Sequence, residues 1–152
     1  MADPSFSGVF PILQMPFNEA GQILFDDLKS EVEYAIRAGA HGVGIAYGSE
    51  INKLDDHERD QVLSTVVDQA NGRIKVVMNT GAPSTVQTIH YTRAAKVLGA
   101  DAVMIAPPGI AGIPTPLVRQ HFVEVAESTE IPIYMQDMTG AGMTPALLAD
   151  LS

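Results

Sequence analysis

An α/β fold organised around a parallel sheet is the class this sequence predicts, and three observations predict it. Five short apolar runs alternate with stretches of helical periodicity. Successive runs are joined through such a stretch, the connection that a right-handed βαβ unit requires. The runs are apolar throughout rather than alternately apolar and polar, so both faces of the sheet are expected to be covered.

Residues 8–17 read GVFPILQMPF, an apolar run broken by prolines and followed by the polar turn NEAGQ; this is the candidate first strand, its end marked by Pro16. From Asp26 to Ala38 the chain places Leu28, Val32, Ala35 and Ile36 at three-to-four spacing, which marks an amphipathic helix, and Gly39 stops it. The glycine-rich run HGVGIAYGSE is the second strand and ends in Ser49 and Glu50. LDDHERDQVLSTVVDQANG then supplies Asp55 or Asp56 as a cap and acidic residues in the first turn. Val62, Leu63, Val66 and Val67 give it one apolar face, and Asn71-Gly72 is the stop. IKVVMNTG is the third strand. STVQTIHYTRAAKVLGA is a helix capped by Ser84 or Thr85 and stopped by Gly99, and DAVMIAPPG is the fourth strand. In TPLVRQHFVEVAEST, Thr115 is the expected cap and Pro116 the first helical residue. The fifth strand is IPIYMQDM, Ile131 to Met138, and Thr144-Pro145 opens a last helix.

Two architectures satisfy this order, an open doubly wound sheet and part of a (β/α)8 TIM barrel. The dinucleotide-binding form of the first needs G-x-G-x-x-G just after the first strand, and Gly8 to Gly21 has no such spacing. Gly42-Val43-Gly44 lies inside a strand with no third glycine in place. The evenness of the units, roughly 30 residues each against about 250 for the complete fold, favours the barrel. Residues 1–152 would then be the N-terminal portion of a single barrel domain, supplying about the first five β/α units.

Composition narrows the function. Eighteen acidic residues against nine basic ones give a formal net charge of -9, so no basic stripe exists to neutralise the phosphates of a nucleic acid. The absence of cysteine excludes disulfides, thiol catalysis and thiolate metal sites. No basic-then-apolar leader precedes Pro4 and no apolar run reaches the length of a membrane span, so no membrane partner is expected and the expected location is cytoplasmic. His41, His57, His90 and His121 share no ligand spacing and form no H-E-x-x-H, so neither a metal nor a cofactor is expected.

In barrels and open parallel sheets alike, ligands sit beyond the carboxyl ends of the strands. Those ends carry Gln14, then Tyr47-Gly48-Ser49-Glu50, Asn79-Thr80-Gly81, Pro107-Pro108 and Gln136-Asp137. Each has a plainer reading. Gln14 can satisfy backbone groups near a broken strand, Glu50 can pair with Lys53, Asn79 and Thr80 can form a turn before Gly81, and Asp137 can bind a loop amide. Tyr134, inside its run, reads as a core aromatic with a satisfied hydroxyl. An amine can form a Schiff base with a carbonyl substrate, yet Lys29 and Lys96 fall on helices, Lys53 in a loop, and Lys75 at the beginning of a strand.

GVFPILQMPFNEAGQ, GAHGVGIAYGSEINKLDDHERDQVL, VVMNTGAPSTVQTIHYTRAAKVLGADAVMIAPP, LVRQHFVEVAESTEIPIYMQD and GMTPALLADL together resemble the dihydrodipicolinate synthase and N-acetylneuraminate lyase family, in that family's order and spacing. The resemblance covers roughly the first half of a member. It implies a (β/α)8 barrel, usually tetrameric, in which a lysine on the sixth strand forms a Schiff base with pyruvate or another 2-keto acid. Aldol cleavage, condensation or dehydration of a sugar acid follows in such enzymes, and the lysine would lie shortly after Ser152. By this resemblance Glu50 matches the glutamate of the loop that holds the keto-acid carboxylate, with Tyr47 and Gly48 where threonines are usual and Ser49 offering a hydroxyl and an amide. Pro107-Pro108 stands in place of a proline-tyrosine, Gln136-Asp137 in place of a tyrosine-asparagine, and Ala141 in place of a carboxylate-binding arginine. Gln136 and Asp137 are therefore the candidate catalytic residues, and Gly48, Ser49, Glu50, Asn79 and Thr80 the candidate substrate-binding ones. The expected function is a Schiff-base lyase acting on pyruvate or a 2-keto sugar acid as a homo-oligomer, with the isolated 152 residues inactive. The alternative is a non-catalytic relative with a binding, regulatory or structural role.

Overall fold

The computed structural model describes residues 6–108, 112–138 and 143–152. Four parallel strands form one sheet in chain order, β1 (Gly42–Ile45), β2 (Lys75–Asn79), β3 (Ala102–Ile105) and β4 (Ile133–Met135). Helices α1 (Phe25–Arg37), α2 (Asp56–Ala70), α3 (Thr85–Val97), α4 (Thr115–Ser128) and α5 (Pro145–Leu151) alternate with them. A doubly wound sheet separates sequence neighbours at its switch point. Here each strand pairs with its successor, through Gly44↔Val77, Val77↔Ala102 and Met104↔Tyr134, and each helix lies beside the next. That progression is the wall of a (β/α)8 barrel.

The period-two alternation of the strands decides which face meets the helices. Val43, Ile45, Val76, Met78, Val103 and Ile105 pack with Leu28 and Val32 of α1, Val62, Leu63 and Val66 of α2, and Val118, Phe122 and Val125 of α4. The intervening residues, Gly42, Gly44, Val77, Asn79, Met104 and Tyr134, take the opposite, inner face. The wall curls around that face, since Tyr134 of β4 meets Phe6 edge-on at 5.8 Å and Phe10 at 6.5 Å between ring centroids. Its hydroxyl donates to the Phe6 carbonyl at 3.2 Å.

Residues 8–17 do not form the regular first strand that the sequence suggests. They make two isolated bridges, Ile12↔Gly44 parallel and Phe17↔Ile23 antiparallel. Pro11 and Pro16 lack the N–H that a continuous ladder needs. The segment still runs alongside β1, with His41 N donating to Val9 O at 3.0 Å, Gly44 N to Pro11 O at 2.9 Å and Leu13 N to Gly44 O at 2.9 Å. It also explains the glycines of β1. A Cβ on Gly42 would lie 2.2 Å from Phe10 Cε1, and one on Gly44 would lie 2.6 Å from Ile12 Cδ1.

The helix ends follow local chemistry. Asp55 caps α2 in a reciprocal box, Glu58 N donating to Asp55 Oδ1 at 2.8 Å and Asp55 N to Glu58 Oε2 at 3.0 Å. Asn71 ends α2 in the left-handed conformation at φ 46°. Ser84 and Thr144 cap α3 and α5. At α4 the expectation is displaced by one residue. Pro114 occupies the cap and Thr115 is already helical, because a proline with φ -57° and ψ 135° turns the chain into the helix without a side-chain acceptor. Coverage of the sheet is complete for β1 and fails at β4, whose three residues are all half-buried.

Candidate active site

The carboxyl ends of the four strands open on one rim. After β1 the chain makes a 3-10 turn, Tyr47–Ser49, and a second one, Ile51–Lys53, joined at Glu50. Glu50 sits at φ 58°, ψ 21°, a left-handed conformation uncommon outside glycine and asparagine. Ser49 is fully buried, and its Oγ accepts from Ala46 N at 3.1 Å while donating to the Leu13 carbonyl at 2.5 Å. Its amide donates to Ala46 O at 2.8 Å. Ser49 thus holds the loop against the N-terminal segment, with hydroxyl and amide hydrogens both engaged. Gly48 and Tyr47 are exposed on the rim, and the Glu50 carboxylate pairs with Lys53 Nζ at 2.9 Å near solvent.

After β2 the two candidate residues part. Thr80 is buried toward α3, its Oγ1 lying 2.9 Å from Thr92 Oγ1 and its N donating to Met104 O at 3.1 Å. Asn79 falls on the inner face, 1% exposed, and neither Oδ1 nor Nδ2 has a hydrogen-bond partner among the described residues. Just past β4, Gln136 N continues the ladder to Ile105 O at 2.8 Å, and Gln136 Oε1 is buried without a hydrogen-bond partner among the described residues. Asp137 is exposed just beyond it. Gln14 is exposed, and its backbone N donates to Glu31 Oε2 at 2.9 Å. The rim therefore gathers Gly48, Glu50, Asn79, Gln136 and Asp137, with Pro107 and the half-buried Pro108 between, while Ser49 and Thr80 act from behind. Ala141 lies outside the described residues.

One residue at this rim comes from a helix rather than from a strand end. Arg59 of α2 is 7% exposed and borders a cavity of about 350 Å³ with Tyr47, Asn52, Gly81, Gln87 and Pro107. Nη2 donates to Asn79 O at 3.0 Å and Nη1 to Ile51 O at 3.2 Å, while the guanidinium stacks 4.3 Å from the centre of the Tyr91 ring. Burial lowers its pKa from the usual arginine value. The Tyr91 hydroxyl donates to Asp56 Oδ1 at 2.7 Å, and burial, then that bond, raise the phenol pKa. A signal for Arg59 was present in the sequence, since it shares the three-to-four stripe of Val62, Leu63 and Val66.

Of the four lysines only Lys53 comes near a strand's carboxyl end, in the exposed loop after β1. Lys29 pairs with Asp26 at 3.0 Å, Lys53 with Glu50, Lys75 with Asp101 at 2.7 Å and Lys96 with Glu130 at 3.9 Å. Among the described residues no group of three His, Asp or Glu side chains is placed to hold a metal ion, and no helix is long and apolar enough to cross a membrane.

Residues 5–152 match the dihydrodipicolinate synthetase family. A 4-hydroxy-tetrahydrodipicolinate synthase from Methanospirillum hungatei JF-1 is 33% identical over 154 residues, a match covering 97% of this chain and 52% of that protein. The crystal structure of a dihydrodipicolinate synthase superposes with a TM-score of 0.90 at 29% identity, covering 96% of this chain and 52% of the other. A prophage protein of the dihydrodipicolinic acid synthase family from E. coli K12, solved in complex with pyruvate, superposes with a TM-score of 0.90 at 25% identity, covering 96% and 50%. The chain spans about half the length of the relatives it matches. In sequence and in the curl of its barrel wall alike, the chain belongs to the dihydrodipicolinate synthetase family.

Proposed function

We propose that these residues are the N-terminal portion of a single (β/α)8 barrel domain whose complete form is a cytoplasmic, homo-oligomeric Schiff-base lyase acting on pyruvate or a 2-keto sugar acid. The observation that carries this reading is the gathering of Gly48, Glu50, Asn79, Gln136 and Asp137 at the carboxyl rim of a family barrel wall whose one lysine near that rim, Lys53, is exposed in a loop and paired with Glu50. A lysine amine from the remaining strands would attack the keto carbon, and loss of water gives the imine. The loop at Gly48 to Glu50 would receive the substrate carboxylate. An amide cannot replace a phenol as a proton relay, so Gln136 would orient a water or carbonyl oxygen while Asp137 carries the proton. No cofactor is needed for these steps.

The imine of pyruvate loses a methyl proton to give the enamine, so the full-length protein is expected to exchange pyruvate methyl protons for deuterium in D₂O, followed by NMR. A rate equal to that of buffer would contradict the lyase reading. It would favour a non-catalytic relative with a binding, regulatory or structural role, the reading that Pro108 and Gln136 support where the family carries tyrosines.

A further inference from the structure

We infer that Arg59 is a positioning residue of this site, clamping the loop after β1 in the left-handed turn at Glu50 that the substrate carboxylate would meet. The inference rests on the keto-acid reading above, which assigns that carboxylate to Gly48 through Glu50, and adds the helix residue that keeps the loop in place.

Glu50 has φ 58° and ψ 21°, a conformation that a glutamate keeps only where its surroundings hold it there. Buried groups fix both of its flanks. On the N-terminal side, Ser49 Oγ donates to Leu13 O and accepts from Ala46 N. On the C-terminal side, Ile51 packs in the core, and its carbonyl accepts from Arg59 Nη1 at 3.2 Å. Its own turn holds that carbonyl more loosely, through Leu54 N at 3.4 Å. The solvent-facing pair of Glu50 with Lys53 adds little to either side.

Arg59 also fixes the loop against the neighbouring strand. Nη2 donates to Asn79 O at 3.0 Å, so one planar group spans the loop after β1 and the last residue of β2. Its plane is set by the Tyr91 ring, whose hydroxyl donates to Asp56 Oδ1 at 2.7 Å and accepts from Gln87 Nε2 at 2.9 Å. Both carbonyls are thereby held at a set distance from α2 and α3. An ammonium is a point donor without this fork, so a lysine keeps the charge and loses the spacing. With the spacing lost, Glu50 relaxes out of the left-handed region and Gly48 shifts with it.

Loss of placement and loss of stability leave different traces. A partly unfolded population has fewer active sites and a lower kcat, whereas a displaced carboxylate loop weakens binding and raises KM. In the full-length protein, Arg59→Lys is expected to raise the pyruvate KM for methyl deuterium exchange at least fivefold, with kcat within twofold of the wild type. Val118→Ala, which opens a cavity in the core beneath α4, should lower stability and leave KM unchanged. Amide hydrogen exchange read by mass spectrometry over residues 46–54 should be at least tenfold faster in Arg59→Lys than in Val118→Ala. An unchanged KM in Arg59→Lys, an equal rise in Val118→Ala, or loop amides no faster in the first variant than in the second would each overturn the inference. Failure of the keto-acid reading shows separately, as absent methyl exchange on pyruvate in the wild type, and the amide rates then still decide whether Arg59 clamps the loop.

Discussion

Arg59 Nη2 donates to the carbonyl oxygen of Asn79 at 3.0 Å, tying helix α2 to the last residue of strand β2. The same guanidinium holds Ile51 O and stacks on Tyr91, and no carboxylate among the described residues forms an ion pair with it. Arg59→Lys keeps the charge but cannot reach both carbonyls and the ring together. The substitution is expected to cost about 2 kcal/mol, the worth of one charged hydrogen bond. Urea denaturation measures it, and an unchanged midpoint would remove Arg59 as the brace of this rim.

Gly42 tests the close approach of the N-terminal segment. A methyl there would meet the Phe10 ring at 2.2 Å and the Lys75 carbonyl at 2.7 Å, and the backbone oxygen cannot swing aside. Gly42→Ala should therefore destabilise the fold by about 1–3 kcal/mol, the usual range for overpacking. The double substitution Gly42→Ala with Phe10→Ala should not restore the wild-type midpoint, because the carbonyl contact persists. Full restoration would place the strain in the ring alone.

His121 gives a pH dependence of definite sign. It is 3% exposed, its Nδ1 lies 2.9 Å from Thr85 Oγ1 across the α3–α4 contact, and its Nε2 has no hydrogen-bond partner among the described residues. Burial lowers its pKa from 6.5, with Glu124 opposing the shift. The unfolded chain then binds the proton more readily, so the contribution is present in full above about pH 6.5 and is lost as pH falls toward the folded-state value. Stability measured by urea titration should fall on acidification no more steeply than about 1.4 kcal/mol per pH unit from this residue. His121→Gln should remove that component, and an identical slope in the variant would assign it elsewhere.

The inner edge predicts assembly. Strand β4 is paired with β3 on one side, and all three of its residues are half-buried. An open strand edge pairs with whatever backbone is available. Expressed alone, residues 1–152 should self-associate in light scattering, and amides of Ile133 to Met135 should exchange hydrogen faster than those of Val76 to Met78. A strictly monomeric particle with slow exchange at both Ile131 to Asp137 and Gly8 to Phe17 would contradict this.

Much of the fold is legible in the sequence where local chemistry decides it. The box of Asp55 and Glu58 starts α2 and the left-handed Asn71 ends it, as their residue types require. Residues 8–17 are less legible, because prolines at 11 and 16 permit bridges yet forbid a ladder, and only the partner glycines of β1 show where the segment lies. At the rim, strand-end position finds Asn79 and Gln136 but cannot tell which polar atoms are spent. Ser49 and Thr80 are equally suggestive as sequence, yet tertiary packing engages both hydroxyls within the protein. Arg59 requires the opposite inference, a charge on an apolar stripe, whose burial depends on the carbonyls of Ile51, just before α2, and Asn79, at the end of β2.

Borohydride trapping of the full-length protein with pyruvate, mapped by peptide mass spectrometry, tests the central claim most directly. The account predicts one reduced adduct, on a lysine contributed by the strands that complete the barrel, and none on residues 1–152 whether alone or within the whole. An adduct on Lys53 or Lys75, or no adduct with pyruvate or with longer 2-keto acids, would contradict it.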